Sequence, residues 1–329
     1  MPPRGTDHSL TAGRQEKVPV VHVAMATFNG RRWIESQIRS IFRQEGVEVR
    51  LVVSDDGSTD GTREWLEELA ASDPRVTLLP PREGEAGVGE NFLYTLVNLH
   101  PGEHDFVAFS DQDDLWAPTK LSRQVGLIAE LGVEAVSSNV YAFRQTSGGV
   151  LKKTLIRKDN PQVEWDFIFE APGTGSSFLM TEGAWRLVRD HVQRWGTKGI
   201  WLHDWYVYAL VRAAGMKWFI DSEPLVAYRQ HEGNALGAHR GAEAIRRRTK
   251  NLLSGKYGRQ FLKVHEASMR VATDNGRDPE FIAGLEQLGT LLRDGSMKAR
   301  WALMKDYKKI RRRPSEGFSL AVARVLGIW

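Results

Sequence analysis

The sequence predicts an α/β fold, a wound mixed sheet flanked by helices, with a mostly helical and basic C-terminal extension. Three observations carry this. Short apolar runs alternate with helix-periodic segments through the first 140 residues, as in a wound sheet. Each early strand-like run ends in a polar cluster, and open α/β sheets bind ligands at the carboxyl ends of their strands. From residue 240 onward there are 20 Lys and Arg against 9 Asp and Glu, a balance of +11, whereas the rest of the chain carries −7.

Residues 18–26 (VPVVHVAMA) read as the first strand, and residues 32–44 place Trp33, Ile34, Ile38, Ile41 and Phe42 at helical spacing. Residues 49–53 form the next strand. The turn DDGSTDG follows, then a helix capped by Thr59 or Asp60 with Trp65, Leu66 and Leu69 on one face. Residues 76–79 make a third strand. After the loop PPREGEAGVGE, a helix bearing Phe92, Leu93, Leu96 and Val97 leads to the strand 105–109. Pro118 opens a helix to residue 131, and a strand resumes over 134–143. The pattern weakens between 146 and 172. It returns as a strand at 175–181, a helix at 182–195, a helix at 204–214 ended by Gly215, and closing strands at 218–220 and 225–228. The expected organisation is a disordered N-terminus at 1–17, a main domain at 18–238 with halves 18–116 and 117–238, and a basic helical region at 239–329.

Composition narrows the function. A chain of 329 residues with 41% hydrophobic content can bury a core. The absence of cysteine excludes disulfides, thiolate chemistry and cysteine-ligated zinc. No run of 18 apolar residues and no signal-like apolar segment near the start occur, which predicts a soluble, cytoplasmic chain. The basic runs RRR (246–248) and KKIRRRP (308–314) could face nucleic acid, an anionic membrane or water. Aromatic residues lie mainly outside these runs, so no nucleic-acid partner is expected.

The sharpest local signal is FSDQDDLW, residues 109–116, with three carboxylates in four positions straight after an apolar strand. Such a cluster resists desolvation unless a counter-ion neutralises it. Asp111 and Asp113 alternate, so an extended backbone turns both to one side, and hard cations such as Mg²⁺ or Mn²⁺ bind through one or two carboxylates plus substrate phosphates. Asp114 is expected to stand apart, capping the helix near Pro118 or orienting the loop. ATFNG (26–30) and DDGSTDG (55–61) are either plain polar turns or, converging from neighbouring strand ends, two walls of one nucleotide crevice. GEAGVGENF (84–92) lacks dinucleotide-fingerprint spacing and reads as a plain loop or as a flexible loop over a ligand. LHDWYVYAL (202–210) puts Asp204 at a helix start, as an N-cap or as a general base in aromatic surroundings. In YRQHEGN (228–234), Arg229 and His231 are either satisfied loop residues or partners of phosphate or metal.

In order, MATFNG, VVSDDGSTDGT, GENFLY, FSDQDDLW, HDWYVYAL and YRQHEGN resemble the inverting family 2 glycosyltransferases of GT-A fold, especially the rhamnosyltransferase-like members of bacterial polysaccharide assembly. The resemblance spans about residues 18–238, and no motif covers the basic tail. It implies a Rossmann-like nucleotide-binding half at 18–116 and an acceptor-binding half at 117–238. The implied donor is a nucleoside diphosphate sugar of dTDP or UDP type, cradled by Ala26, Thr27, Asn29, Asp56, Asp111 and Arg229. Asp111 and Asp113, with His231, would hold a divalent cation, Mn²⁺ or Mg²⁺. Asp204 falls at the position of the general base. Trp116, Thr174, His203 and Trp205 would face the acceptor, a glycan, a lipid-linked or a small molecule, with Trp165 and Trp201 as further candidates for a sugar platform. Two departures are visible: Ala26 stands where many members carry a hydroxyl residue, and His203 where an acidic residue often precedes the base. The tail fits peripheral contact with an anionic membrane. A nucleotidyltransferase or a non-catalytic nucleotide-sugar binder would share many of these features.

Overall fold

The computed structural model describes residues 18–84, 86–145, 151–231 and 255–329. The expected disordered N-terminus, Asn234, the run 246–248 and the 238/239 boundary lie outside them.

The first half follows the predicted alternation. Strand β1 (Val20–Thr27) leads to helix α1 (Ile34–Phe42), β2 (Glu48–Asp55) to α2 (Thr62–Ser72), and β3 (Val76–Leu78) to α3 (Val88–Val97) before β4 (Phe106–Ser110). β1 and β2 are nearly continuous apolar runs because both faces of their sheet are covered. The α2 start differs from expectation. Gly61, at φ 86°, occupies the cap position, while the Asp60 carboxylate accepts from the N–H groups of Thr62 at 3.1 Å and Arg31 at 3.0 Å. Asp60 therefore ties the turn to the β1 loop as well as serving the helix.

The second half departs more. β5 (Leu115–Trp116) precedes α4 (Lys120–Leu131), which begins two residues later than Pro118 suggested. The single strand expected over 134–143 is two, β6 (Ala135–Ser138) and β7 (Val140–Gln145), in different sheets. Asn139 makes the switch: its Oδ1 accepts from the Lys158 N–H at 2.6 Å, and its Nδ2 donates to the Ser222 carbonyl at 3.0 Å. β8 (Leu151–Ile156) and the short helix α5 (Asp166–Phe169) fill the weakly patterned stretch. A 3₁₀ turn (Gly175–Ser177) takes the first part of the expected strand and leaves β9 (Leu179–Thr181). Then come α6 (Glu182–Trp195), α7 (His203–Ala213), β10 (Trp218–Asp221) and β11 (Val226–Arg229). The tail supplies α8 (Lys256–Asp274), α9 (Pro279–Arg293), α10 (Met297–Lys305), α11 (Tyr307–Ile310) and α12 (Pro314–Val325).

The main sheet has the order β10-β6-β9-β4-β1-β2-β3. β4, β1, β2 and β3 are parallel, and β9 alone runs against its neighbours β4 and β6. The carboxyl ends of β1, β2 and β4 therefore share one edge with the beginning of β9. α6 leaves that sheet from the opposite edge, so the chain returns to start α7 beside the same strand ends. The small sheet β5-β11-β7-β8 stands next to it, β11 antiparallel to β5 and parallel to β7.

The tail is not an appendage. Phe261, Val264, Leu285, Leu303, Ile310 and Ala321 belong to the same buried cluster as Phe92, Phe109, Phe178 and Tyr208. Arg312 is almost wholly buried. It donates to Asp166 Oδ2 at 3.0 Å, Glu170 Oε2 at 3.0 Å and the Ala171 carbonyl at 2.6 Å. KKIRRRP is therefore not wholly a solvated run: Lys308, Lys309 and Arg313 are exposed, but Arg312 is the counter-ion of buried Asp166 and Glu170.

Candidate active site

Three strand-end loops are stitched to one another. The Asn29 N–H donates to Ser58 Oγ at 2.8 Å, and Asn29 Oδ1 accepts from the Thr59 N–H at 2.8 Å. Gly30 N–H donates to Thr62 Oγ1 at 2.9 Å. Asn29 sits at φ 50°, a left-handed conformation that Asn tolerates better than most residues. Gln112, between the two alternating aspartates, pairs both ways with the Phe28 backbone, accepting from its N–H and donating to its carbonyl at 2.9 Å each. A Cβ at position 30 would collide with that amide, so Gly30 is what lets the β4 loop close on the β1 loop. ATFNG and DDGSTDG thus converge, as adjacent strand ends allow.

There, the Thr27 hydroxyl donates to Asp55 Oδ1 at 2.8 Å, and the Ser58 N–H donates to Asp55 Oδ2 at 3.0 Å. Asp55 is therefore structural. Asp56 accepts from Arg82 Nη2 at 2.8 Å and from the Gly87 N–H at 2.7 Å, which draws the PPREGEAGVGE loop over the crevice. Ala26 is half-buried opposite Ser54.

The opposite wall holds the carboxylates. Burial, with repulsion from Asp113 and Asp204, pushes the Asp111 carboxyl up to about 8. Burial pushes Asp204 up to about 6, opposed by a hydrogen bond from the Trp205 N–H and by the Lys158 charge. The Tyr228 phenol is driven well above its ordinary range by burial and by Asp111, Asp114, Asp113 and Asp204, which places all five groups in one neighbourhood. Asp113 is buried, and its Oδ2 lies 2.5 Å from His231 Nε2, whose ring stacks on Trp33 at 4.2 Å. Arg229 Nε donates to the Asp113 main-chain carbonyl at 2.8 Å, not to a carboxylate. Among the described residues no group of three His, Asp or Glu side chains is arranged to hold a metal ion. A two-carboxylate site completed by a ligand's own oxygens still fits the clustered, mutually repelling Asp111 and Asp113.

Several expectations need correction. Asp114 does not cap the helix: it is fully buried, and its Oδ1 accepts from the Arg229 N–H at 3.1 Å. Trp116 is 5% exposed, paired with Val226 in the small sheet and covered by Lys120 Nζ at 3.9 Å from its ring. Trp205 is 3% exposed, and its Nε1 donates to the Phe167 carbonyl at 2.9 Å. His203 is sandwiched in the core, stacked on Phe92 at 3.7 Å and edge-on to Phe109 at 5.1 Å, and burial drops its pKa to about 3. Gly175 makes room for it, since a Cβ there would meet His203 Nε2 at 2.4 Å. These three side chains are packed in the interior. Trp165 is likewise buried. Thr174, half-buried at the start of the 3₁₀ turn, and Trp201, half-buried under Lys256 Nζ at 3.8 Å, remain near the rim. Gln112, Arg82 and Tyr228 lie within FSDQDDLW, PPREGEAGVGE and YRQHEGN, where the sequence gives them no distinct role, and no local pattern marks Lys158.

A wound sheet with a carboxylate cluster at its strand ends, a stitched crevice beside it and a raised carboxyl on a facing helix defines a GT-A type transferase. Residues 22–184 match the family Glycosyl transferase family 2. The chain is 32% identical over 246 residues to the dTDP-rhamnosyl transferase RfbG of Shigella flexneri, covering 74% of this chain and 84% of that protein. It is 31% identical over 138 residues to the putative teichuronic acid biosynthesis glycosyltransferase TuaG of Bacillus subtilis, spanning about half (52%) of its length. Among solved structures, S. aureus TarS residues 1–349 in complex with UDP-GlcNAc has the same fold, with a TM-score of 0.51 at 14% identity over 94% of this chain and 90% of that one. The chain belongs to glycosyltransferase family 2 and is a glycosyltransferase, which sets aside the nucleotidyltransferase and non-catalytic readings.

Proposed function

We propose that the protein is an inverting glycosyltransferase that moves a sugar, rhamnose foremost, from a nucleoside diphosphate donor to a hydroxyl of a glycan, lipid-linked or small acceptor. The dTDP-rhamnosyl activity named for RfbG supports this donor, at 32% identity over 84% of that protein. The observation that carries the mechanism is Asp204. It starts α7 among the strand-end carboxylates with a carboxyl raised to about 6, ionised at neutral pH yet a better proton acceptor than an ordinary aspartate.

On this reading the donor lies on the 18–116 half. Thr27 and Asn29 shape the crevice floor for base and ribose. Asp56, already bonded to Arg82 and Gly87, keeps lone pairs for a base N–H. Asp111 and Asp113 would hold a divalent cation, Mn²⁺ or Mg²⁺, which when bound offsets charge on the departing diphosphate. His231 and Arg229 flank Asp113 and face the same diphosphate. The acceptor enters on the 117–238 half, past Thr174 and Trp201. Asp204 takes the proton of its hydroxyl, the oxygen attacks the anomeric carbon opposite the leaving group, and the configuration inverts. The 239–329 region braces this half through Arg312, and contact with a lipid surface is proposed for it.

The test is product analysis with dTDP- and UDP-sugars in the presence of Mn²⁺ or Mg²⁺. Asp204→Asn should lose about 10²–10⁴-fold in kcat while donor binding persists. Unchanged kcat in that variant would remove Asp204 as the base, and release of pyrophosphate in place of a nucleoside diphosphate would overturn the reading as a whole.

A further inference from the structure

Among the described residues, four of the eleven exposed large apolar side chains lie on one pair of helices. Met297 (53% exposed), Trp301 (53%), Phe318 (52%) and Leu326 (69%) all lie on α10 and α12 or at the α12 end. On α10, Met297, Trp301 and Lys305 follow one another a turn apart, opposite the buried Ala299 and Leu303. On α12, Phe318 and Leu326 are turned outward with the half-buried Val322 between them, while Ala321 and Arg324 are buried. The two helices form an antiparallel hairpin: Arg300 Nη1 donates to the Val325 carbonyl at 3.4 Å, and the Tyr307 ring meets Phe318 edge-on at 5.6 Å. Each helix thus buries one side in the domain and turns an apolar side outward.

Charge surrounds this face. Arg293, Lys298, Lys305, Lys308 and Arg313 are exposed along the same hairpin. Two of the acids nearby are engaged: Asp294 accepts from the Ser296 N–H at 2.7 Å, and Glu316 pairs with Arg311 at 2.8 Å. Exposed Trp, Phe, Met and Leu ringed by lysine and arginine match the interfacial zone of a bilayer with anionic headgroups. A protein partner fits less well, because protein interfaces are depleted in lysine. A nucleic acid would leave the apolar centre uncovered. No described helix is long and apolar enough to cross a membrane, so the contact is one of lying on the surface.

We propose that the outer face of the α10/α12 hairpin docks on an anionic lipid bilayer, with Trp301 and Phe318 entering the headgroup boundary and Lys298, Lys305 and Lys308 meeting lipid phosphates. The hairpin abuts the acceptor side of the molecule: Arg313 Nη2 donates to the Arg157 carbonyl at 3.3 Å, next to Lys158, whose charge acts on Asp204. A bilayer-borne acceptor would arrive there. Only that consequence rests on the glycosyl-transfer reading; the docking itself does not.

The experiment is sedimentation of the full chain with vesicles of phosphatidylcholine alone or mixed with phosphatidylglycerol, alongside size-exclusion chromatography without lipid. The wild type should partition onto the anionic vesicles about tenfold or more better than onto the neutral ones, and lose this in high salt. Trp301→Ser with Phe318→Ser, and separately Lys298→Glu with Lys305→Glu, should each weaken partitioning about tenfold, with melting temperature and donor binding unchanged. Failure to bind anionic vesicles overturns the proposal. So does binding that the Trp301/Phe318 double variant leaves intact, which would move the contact elsewhere on the chain. A wild-type dimer that this variant converts to a monomer, without vesicle binding, would assign the face to a second copy. Loss of vesicle binding with sugar transfer to a soluble acceptor intact would separate the docking from the catalytic reading.

Discussion

Two buried acidic clusters differ in where their counter-charge comes from. Asp166 and Glu170 are buried on and beside α5. Arg312 reaches both at 3.0 Å, Arg212 Nη1 adds a bond to Asp166 at 3.3 Å, and the Tyr208 hydroxyl donates to Asp166 at 2.8 Å. At the strand ends, Asp111, Asp113, Asp114 and Asp204 are gathered with His231 beside Asp113 and the Arg229 charge acting on Asp113 and Asp114, but among the described residues no lysine or arginine forms an ion pair with their carboxylates. Charge that holds this fold together brings its counter-ion within the chain. Charge kept for a ligand leaves the counter-ion to the ligand, and the apo protein is less stable for it.

The sharpest way to break this comparison is to remove the internal counter-ion. Arg312→Ala leaves Asp166 and Glu170 buried and under-neutralised, and should cost about 3–5 kcal/mol in urea unfolding. Arg312→Lys should recover only part of this, since a lysine cannot span both carboxylates in the geometry of the guanidinium. An unchanged midpoint for Arg312→Ala would show that the tail's arginine is not what neutralises the cluster.

The converse change belongs to the other cluster. Asp111→Asn should abolish most transfer, yet raise the stability of the protein without donor or divalent cation by about 1–2 kcal/mol at pH 7, because the wild-type carboxyl must take up a proton to be buried beside Asp113 and Asp204 and the amide need not. The sign follows from linkage. The Asp111 carboxyl titrates above its unfolded value, so its favourable contribution is complete below the ordinary carboxylate range and is lost as pH rises toward about 8. The wild-type melting temperature, measured without cation, should fall across that window, and Asp111→Asn should flatten the fall.

A smaller effect tests Asp204 in turnover. The kcat/KM profile should lose activity on the acid side with an apparent pKa near 6, since the base must be ionised to act. Lys158→Met, which removes the positive charge that holds this carboxyl down, should move the limb to higher pH by up to about one unit. An acid limb that stays put would uncouple the two residues. The smallest change concerns Lys120, buried with its Nζ 3.0 Å from Gln124 Oε1 and its pKa lowered to about 7 by desolvation. Its stability contribution is lost as pH falls from the unfolded lysine range near 10 toward 7, so Lys120→Met should gain up to about 1 kcal/mol at pH 7 and progressively less at higher pH, read from melting curves.

The sequence made the first half legible because its signals are local: a run of Val and Ala, a polar turn, a helix-periodic face. FSDQDDLW and Asp204 stood out for the same reason, as charge or a helix start out of place. What stayed hidden was decided by distant partners. His203 and Trp205 looked like site residues because they adjoin Asp204, but α7 turns them toward Phe92 and Phe167. Arg312 looked like one cation in a solvated run, and only the packing of α11 and α12 against α5 reveals it as a buried partner. The sheet switch at Asn139 depends on bonds to residues 158 and 222, which no window around position 139 contains.

The antiparallel strand β9 has a consequence for the timing of folding. β4 pairs with β9 from Phe106 opposite Thr181 to Ala108 opposite Leu179, a separation of roughly seventy residues, and β6 closes on the other side of β9. At about 5–20 residues per second, a ribosome holds the β4 edge open for about 4–15 s before its neighbour emerges. A fragment ending near residue 116 would display that apolar edge permanently, an invitation to pair with another chain. The stitched strand-end loops are made of early residues, yet their sheet cannot close until residue 181 has been made.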